Sequence, residues 1–108
     1  MEKQDVLAAL AALAQETRLD VFMRLVQAGP AGMPAGALAK ELAASPATLS
    51  FHLKELRNAR LVRSAREGRS IRYAPDFDVI QDMVGFLGDN CCRDSACGSP
   101  GLATDLDH

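Results

Sequence analysis

Ser45-Pro46-Ala47-Thr48-Leu49-Ser50-Phe51-His52-Leu53-Lys54-Glu55-Leu56-Arg57-Asn58-Ala59 is the stretch whose reading decides the fold. Ser45 offers a hydroxyl to the free amides of a helix start, and Pro46 suits the first helical position, where a missing N–H costs nothing. Leu49, Leu53 and Leu56 then recur at i, i+4 and i+7, which makes one apolar face. The spacing predicts a helix from Pro46 to about Ala59. With Leu49 turned inward and about 100° per residue, the opposite face carries Ala47, Ser50, Phe51, Lys54 and Asn58. That face mixes an aromatic ring with polar and cationic groups that core packing does not need.

Upstream, Ala35 to Ala43 reads as a short helix with Leu38 and Leu42 inward, joined to the first by a tight turn. Downstream, Leu61–Arg66 and Ser70–Ala74 flank Glu67-Gly68-Arg69, where Gly68 supplies the positive φ of a tight hairpin. Helix, turn, helix and basic hairpin in this order define a winged helix-turn-helix. Farther out, Val6, Leu7, Leu10 and Leu13 predict a first helix from Gln4 to Ala14. Leu19, Phe22, Met23 and Val26 predict a second, stopped at Ala28-Gly29-Pro30. Pro30-Ala31-Gly32-Met33-Pro34 reads as a loop. Pro75-Asp76 opens a fifth helix bearing Val79, Ile80, Met83, Val84 and Leu87, with Asp76 or Asp78 at its positive end and Gly88 and Asn90 to close it. The expected class is mainly α with a small β-hairpin: five helices and a two-stranded wing. Residues 1–90 form the folded unit, and 91–108 a cysteine-containing segment with a mobile tail from Gly98.

The bulk numbers agree with one globular domain: 108 residues, 48% apolar and 24% charged. No run approaches the ~18 apolar residues of a membrane span, and the charged Met1-Glu2-Lys3-Gln4-Asp5 start lacks a signal-peptide core, so a cytoplasmic protein is expected. A core this small favours pairing of apolar terminal helices with a second copy. The net charge of −2 hides an uneven distribution. Between Phe51 and Pro75, Lys54, Arg57, Arg60, Arg63, Arg66, Arg69 and Arg72 outweigh Glu55 and Glu67 by five charges, which leaves −7 for the remainder. A basic centre between acidic ends is the footprint of a surface that neutralises phosphates.

The candidate contacts to double-stranded DNA are Ala47, Thr48, Ser50, Phe51, Lys54, Arg57, Arg66 and Arg69. Ser50 can bond a base edge or a phosphate, Ala47 and Phe51 can meet thymine methyls, and Lys54 and Arg57 can set the helix on the backbone. Arg66 and Arg69 at the hairpin tip suit phosphates or the minor groove. The competing reading is a merely solvated basic face, against which stand Phe51 and the Ser45-Pro46 turn. His52, at the edge of the leucine face, is expected to pack or to hydrogen-bond rather than to ligate.

Thr17-Arg18-Leu19, Ala37-Leu38-Ala39-Lys40-Glu41-Leu42 with Ser45 through Leu56, and Gly68-Arg69-Ser70-Ile71-Arg72-Tyr73 together resemble the ArsR/SmtB family of metal-sensing repressors over about residues 5 to 90. The resemblance implies a homodimer joined through its first and last helices, an operator with inverted repeats, and derepression when inducer binds. One departure is Ala43 in the turn where the family often has glycine, which costs about 1 kcal/mol if that position is left-handed.

Members of the family place their sensing ligands in different elements. The third helix here has no cysteine pair, and the only histidines, His52 and His108, cannot build the paired-histidine zinc site of other members. Cys91, Cys92 and Cys97 remain, an odd number unsuited to a disulfide framework and better read as thiolates, which a nearby Arg93 favours. Three sulfurs make a soft set that suits trivalent arsenic or antimony as inducer, with no organic cofactor. The resemblance extends to members that hold arsenic with a vicinal cysteine pair and a third cysteine after the last helix. Adjacent helical residues point ~100° apart, so Cys91 and Cys92 converge only where the helix ends.

The sequence therefore reads as a repressor, not an enzyme, released from DNA when As(III) or Sb(III) binds Cys91, Cys92 and Cys97. Open alternatives are a thiol redox switch, sensing of cadmium, lead or copper(I), a constitutive DNA-binding module, and an arsenic-handling reductase. The last lacks a phosphate-cradling loop.

Overall fold

The computed structural model describes residues 1–89 and Asp94. In chain order it contains α1 (Lys3–Leu13), α2 (Glu16–Ala28), β1 (Met33–Pro34), α3 (Ala35–Glu41), α4 (Pro46–Asn58), β2 (Val62–Glu67), β3 (Ser70–Pro75) and α5 (Phe77–Asp89). The helices gather around Leu25, Leu38, Leu53, Leu56 and Leu61, all fully buried, and Tyr73 closes the core from the sheet. Among the described residues no helix is long and apolar enough to cross a membrane.

The segment expected to be a loop before α3 holds a strand. Met33 pairs with Tyr73 and Pro34 with Arg72, so the expected two-stranded hairpin of β2 and β3 gains a short third strand, in a sheet of order β1-β3-β2. Two residues carry no readable periodicity, and Pro34 lacks an N–H, which confines it to the edge it occupies. The close approach of the chain before it depends on Gly32 (φ 67°), packed against the Tyr73 carbonyl. Arg72 reinforces the junction: Nη1 donates to the carbonyls of Ala31 and Gly32 at 3.2 Å each, and Nε pairs with Glu67 at 2.9 Å.

The inward faces of the first two helices also differ from the leucine-based expectation. α1 buries Val6, Ala9 and Ala12, while Leu7 and Leu10 stay exposed; α2 buries Val21, Phe22 and Leu25, while Leu19 and Met23 stay exposed. Small residues let α1 approach the core closely, which frees its leucines for another surface. On the other flank of α2, Arg24 pairs with Glu41 of α3. The shared hydrogen bond raises the guanidinium pKa and lowers that of the carboxyl, a surface interaction of small energetic weight.

α3 ends at Glu41, earlier than the expected Ala43, and its closure explains why. Ala43 N–H donates to the Lys40 carbonyl and Ala44 N–H to that of Ala39, with Ala43 left-handed at φ 52°. This is a Schellman motif. α4 closes the same way: Arg60 (φ 65°) donates to Arg57, Leu61 donates to Leu56, and the two leucines are both fully buried. The turn between α3 and α4 and the turn from α4 into β2 thus both place a Cβ where glycine is preferred. Ala43→Gly is expected to raise stability by about 1 kcal/mol, read as a higher urea midpoint with unchanged m.

Candidate nucleic-acid interface

α4 is built as its sequence requires. The Ser45 hydroxyl accepts from the Thr48 N–H at 3.2 Å and donates to Thr48 Oγ1 at 2.8 Å, so the helix start is capped from both sides. Leu49, His52, Leu53 and Leu56 are buried, and Ala47, Thr48, Ser50, Phe51, Lys54, Arg57 and Asn58 are exposed. The face expected to read DNA is therefore free on the outside of the molecule. Thr48 is exposed; its hydroxyl accepts from Ser45 in the cap and keeps its own proton, with its methyl, for any contact. His52 packs: it is 7% exposed, meets the Phe51 ring edge-on at 5.5 Å, and its Nδ1 has no hydrogen-bond partner among the described residues.

The wing rises beside α4. Glu67 pairs with Ser70 across Gly68-Arg69, and φ 60° at Gly68 alone is the pattern of a type II′ turn that follows the twist of its strands. Strand alternation sorts the arginines. Partners across the ladder share a face, so Ser64, Arg66, Ile71 and Tyr73 lie on the side that buries Val62 and Tyr73. Arg57 reaches this side and donates to the Ser64 hydroxyl at 3.4 Å. Arg63 and Arg72 lie on the opposite side, where they border a hollow with Pro30 and Ala31. Arg60 turns toward α1 and α5 and shares a hollow with Asp5 and Asp82.

The basic stretch that looks like a single footprint in sequence is thus divided in space. Lys54, Arg57 and Arg66 share one side with Arg69 at the exposed tip, whereas Arg60, Arg63 and Arg72 serve elsewhere. Ile71, 40% exposed and directly opposite Arg66, joins that surface, although its sequence context marks it only as a strand residue. Its alternation with buried Tyr73 is the signal that could have found it.

α5 is the other open surface. None of its residues is fully buried, and its apolar side chains gather on one face, with Asp78, Gln81, Asp82, Gly85 and Asp89 on the other. Ile80 and Met83 pack against the core, but Val84 (61%) and Leu87 (53%) remain exposed, as do Leu7 (49%) and Leu10 (43%) of α1. Asp76 caps the helix by accepting from the Val79 N–H at 3.3 Å. Cys91, Cys92 and Cys97 lie outside the described residues. Among the described ones, no group of three or more His, Cys, Asp or Glu is arranged to hold a metal ion.

A helix-turn-helix domain model matches residues 13–65. The nodulation protein NolR of Rhizobium meliloti is 35% identical over 80 residues, 74% of this chain and 63% of NolR. Among solved structures, NolR from Sinorhizobium fredii is 30% identical with a TM-score of 0.62 and covers 86% of this chain and 88% of its own. An ArsR-like transcriptional regulator from Rhodococcus sp. RHA1 gives 0.70 at 26% identity over 96% and 84%. The chain belongs to the ArsR family of winged-helix regulators. HlyU from Vibrio cholerae N16961 is a further neighbour, with a TM-score of 0.64 at 28% identity over 84% and 99%. The family is one of transcriptional regulators, not enzymes, which argues against the reductase alternative. The chain spans less than two thirds of the length of the Rhizobium meliloti relative, 63%.

Proposed function

We propose that this ArsR-family chain is a cytoplasmic transcriptional repressor that binds a two-fold operator as a homodimer through residues 1–90 and is released when As(III) or Sb(III) binds its cysteine-containing segment, 91–108. The observation that carries the DNA half is the exposed Ala47–Ser50–Phe51–Lys54 face of α4, backed by four buried side chains and flanked by Arg66 and Arg69. Ser50, Ala47 and Phe51 read base edges and thymine methyls; Lys54, Arg57, Arg66 and Arg69 hold phosphates, and Thr48 offers its methyl at the helix start. A neighbour from Mycobacterium bovis is described as a homodimeric winged helix-turn-helix DNA-binding domain, which supports pairing here. Two α4 helices about 34–36 Å apart then meet successive major-groove half-sites.

The inducer half rests on the cysteine set alone. Three thiolates without histidine form a pyramidal soft-ion site of the kind trivalent arsenic and antimony prefer. A second reading, a thiol redox switch at the same residues, is favoured by one neighbour, HlyU from Vibrio cholerae, having been solved in a form described as reduced.

One assay separates the readings: a gel shift on the DNA upstream of the gene, under reducing conditions, titrated with arsenite, antimonite, cadmium, lead and copper(I). Arsenite or antimonite is expected to release the complex. Cys91→Ser and Cys92→Ser are each expected to leave operator binding intact and abolish that release. Release by diamide or peroxide once the reductant is removed, but not by the ions on the reduced protein, selects the redox reading. Release by arsenite from both serine variants refutes the cysteine assignment.

A further inference from the structure

Arg18 stands in the first turn of α2, partly buried, and makes two side-chain connections that the proposed function does not use. Its Nη1 donates to the Ala12 carbonyl at 3.2 Å, one of the oxygens that the end of α1 leaves without an intrahelical donor. Its Nε is buried and has no acceptor among the described residues. Its guanidinium carbon lies 5.8 Å from the centroid of the Phe51 ring, inside the ~6 Å reach of a cation–π contact. Phe51 is 54% exposed, the only ring on the outward face of α4. A half-solvated phenylalanine on one helix would normally exchange rotamers freely. Here it is held between a cation anchored on another helix and the edge of the His52 ring.

Arg18 is therefore poorly disposed to grip phosphate with both edges of its guanidinium, since Nη1 is engaged by α1 and Nε is buried. We propose that Arg18 is a positioning residue for DNA recognition, one that fixes the Phe51 ring as a preformed apolar prong and ties the end of α1 to the reading surface. The inference rests on the operator-binding reading above and extends it. A prong fixed before binding avoids the entropy of ordering it in the groove, so its value appears in the sequence-matched complex and not in general affinity for DNA. Because α1 also carries the uncovered Leu7 and Leu10, repacking of that helix would reach Phe51 through the same side chain.

The test is a double-mutant cycle read by fluorescence anisotropy. The probes are a duplex selected from a random pool by the unaltered chain and a scrambled duplex of equal length, each over a series of KCl concentrations. Arg18→Ala is expected to weaken the selected duplex by up to about tenfold, the cost of ordering one side chain on binding, while the scrambled duplex and both salt slopes stay as they were. In the Phe51→Leu background the same change is expected to cost less than about twofold, because the interaction is already gone. Arg18→Gln, which keeps a donor for the Ala12 carbonyl, is measured alongside with circular dichroism to confirm folding, and the same pattern is expected. A phosphate-gripping arginine behaves differently: both duplexes weaken together and the salt slope falls by about one. That pattern, or additivity in the cycle, overturns the proposal. If the unaltered chain selects no duplex, the operator reading falls with it; if it selects one that the Arg18 variants bind equally well, only the role of Arg18 falls.

Discussion

Gly32→Ala is expected to lower the urea midpoint of the chain severely. The residue sits at φ 67°, where a Cβ costs about 1–2 kcal/mol on backbone grounds alone. The greater penalty is steric. A Cβ built there stands 1.9 Å from the Tyr73 carbonyl oxygen and 2.8 Å from Ala74 Cα, and both are backbone atoms of β3 that cannot rotate away. Relief requires β1 to leave β3, which breaks the Met33–Tyr73 and Pro34–Arg72 pairs and removes the Arg72 bonds to the carbonyls of Ala31 and Gly32. Met33, 8% exposed, then leaves the core as well. The combined loss is more than about 4 kcal/mol, a large part of the roughly 5–15 kcal/mol by which a domain of this size is stable. Urea titration followed by circular dichroism measures it. Gly36→Ala is the control: it lies inside α3, nothing stands within 4 Å of the added Cβ, and it is expected to raise the midpoint slightly. Equal effects from the two substitutions would contradict the steric account.

The same junction shows what sequence could and could not disclose. α4 and the hairpin were legible because each is specified locally: a cap, a proline, three leucines at helical spacing, and a glycine between two basic strands. β1 was not, since two residues give no period and their pairing partners lie about forty positions away. The closure of α3 was marked by Ala43 in its turn, whereas that of α4 was hidden for a related reason. The usual signal for a Schellman motif is glycine, and here Ala43 and Arg60 take the left-handed position, held by backbone bonds and, after α4, by the Leu56–Leu61 contact.

The faces of α1 and α2 run against the leucine pattern because leucine does not by itself mark the interior. Ala9 and Ala12 reach the core instead, and Leu7, Leu10, Leu19 and Met23 do not. A helix that must satisfy its own core and a second surface carries two apolar stripes, and periodicity alone cannot say which one turns inward. The arginines pose the complementary difficulty. Strand alternation and the hairpin register decide which of Arg63, Arg66, Arg69 and Arg72 share the side of α4, and Arg18 meets Phe51 only through the fold. The cysteine segment beyond Asp89 is read from thiol chemistry, and its three candidate ligands lie outside the described residues.

The two-stripe pattern leads to the second large effect: Val84→Glu is expected to abolish dimerisation and, with it, operator binding, while leaving the protomer folded. Val84 is 61% exposed and lies on the same apolar face of α5 as Leu87, Ile80 and Met83, so a carboxylate there replaces no core contact of the single chain. Between two protomers it would be buried unpaired against the apolar surface of the other copy, which costs several kcal/mol and outweighs the roughly 1.5–3 kcal/mol that each buried valine or leucine supplies. Size-exclusion chromatography with light scattering is expected to shift from dimer to monomer. Two half-sites held by a dimer act at high effective concentration, so separation of the protomers is expected to weaken operator binding by about 100-fold or more, while salt-dependent binding to nonspecific DNA persists. Gly85→Glu adds the same charge on the opposite face of α5, where nothing stands within 4 Å of an added Cβ, and is expected to remain dimeric and bind normally. A Val84→Glu chain that stays dimeric would show that the α5 face is covered by something other than a second copy; one that becomes monomeric yet keeps full operator affinity would show that one α4 and one wing suffice.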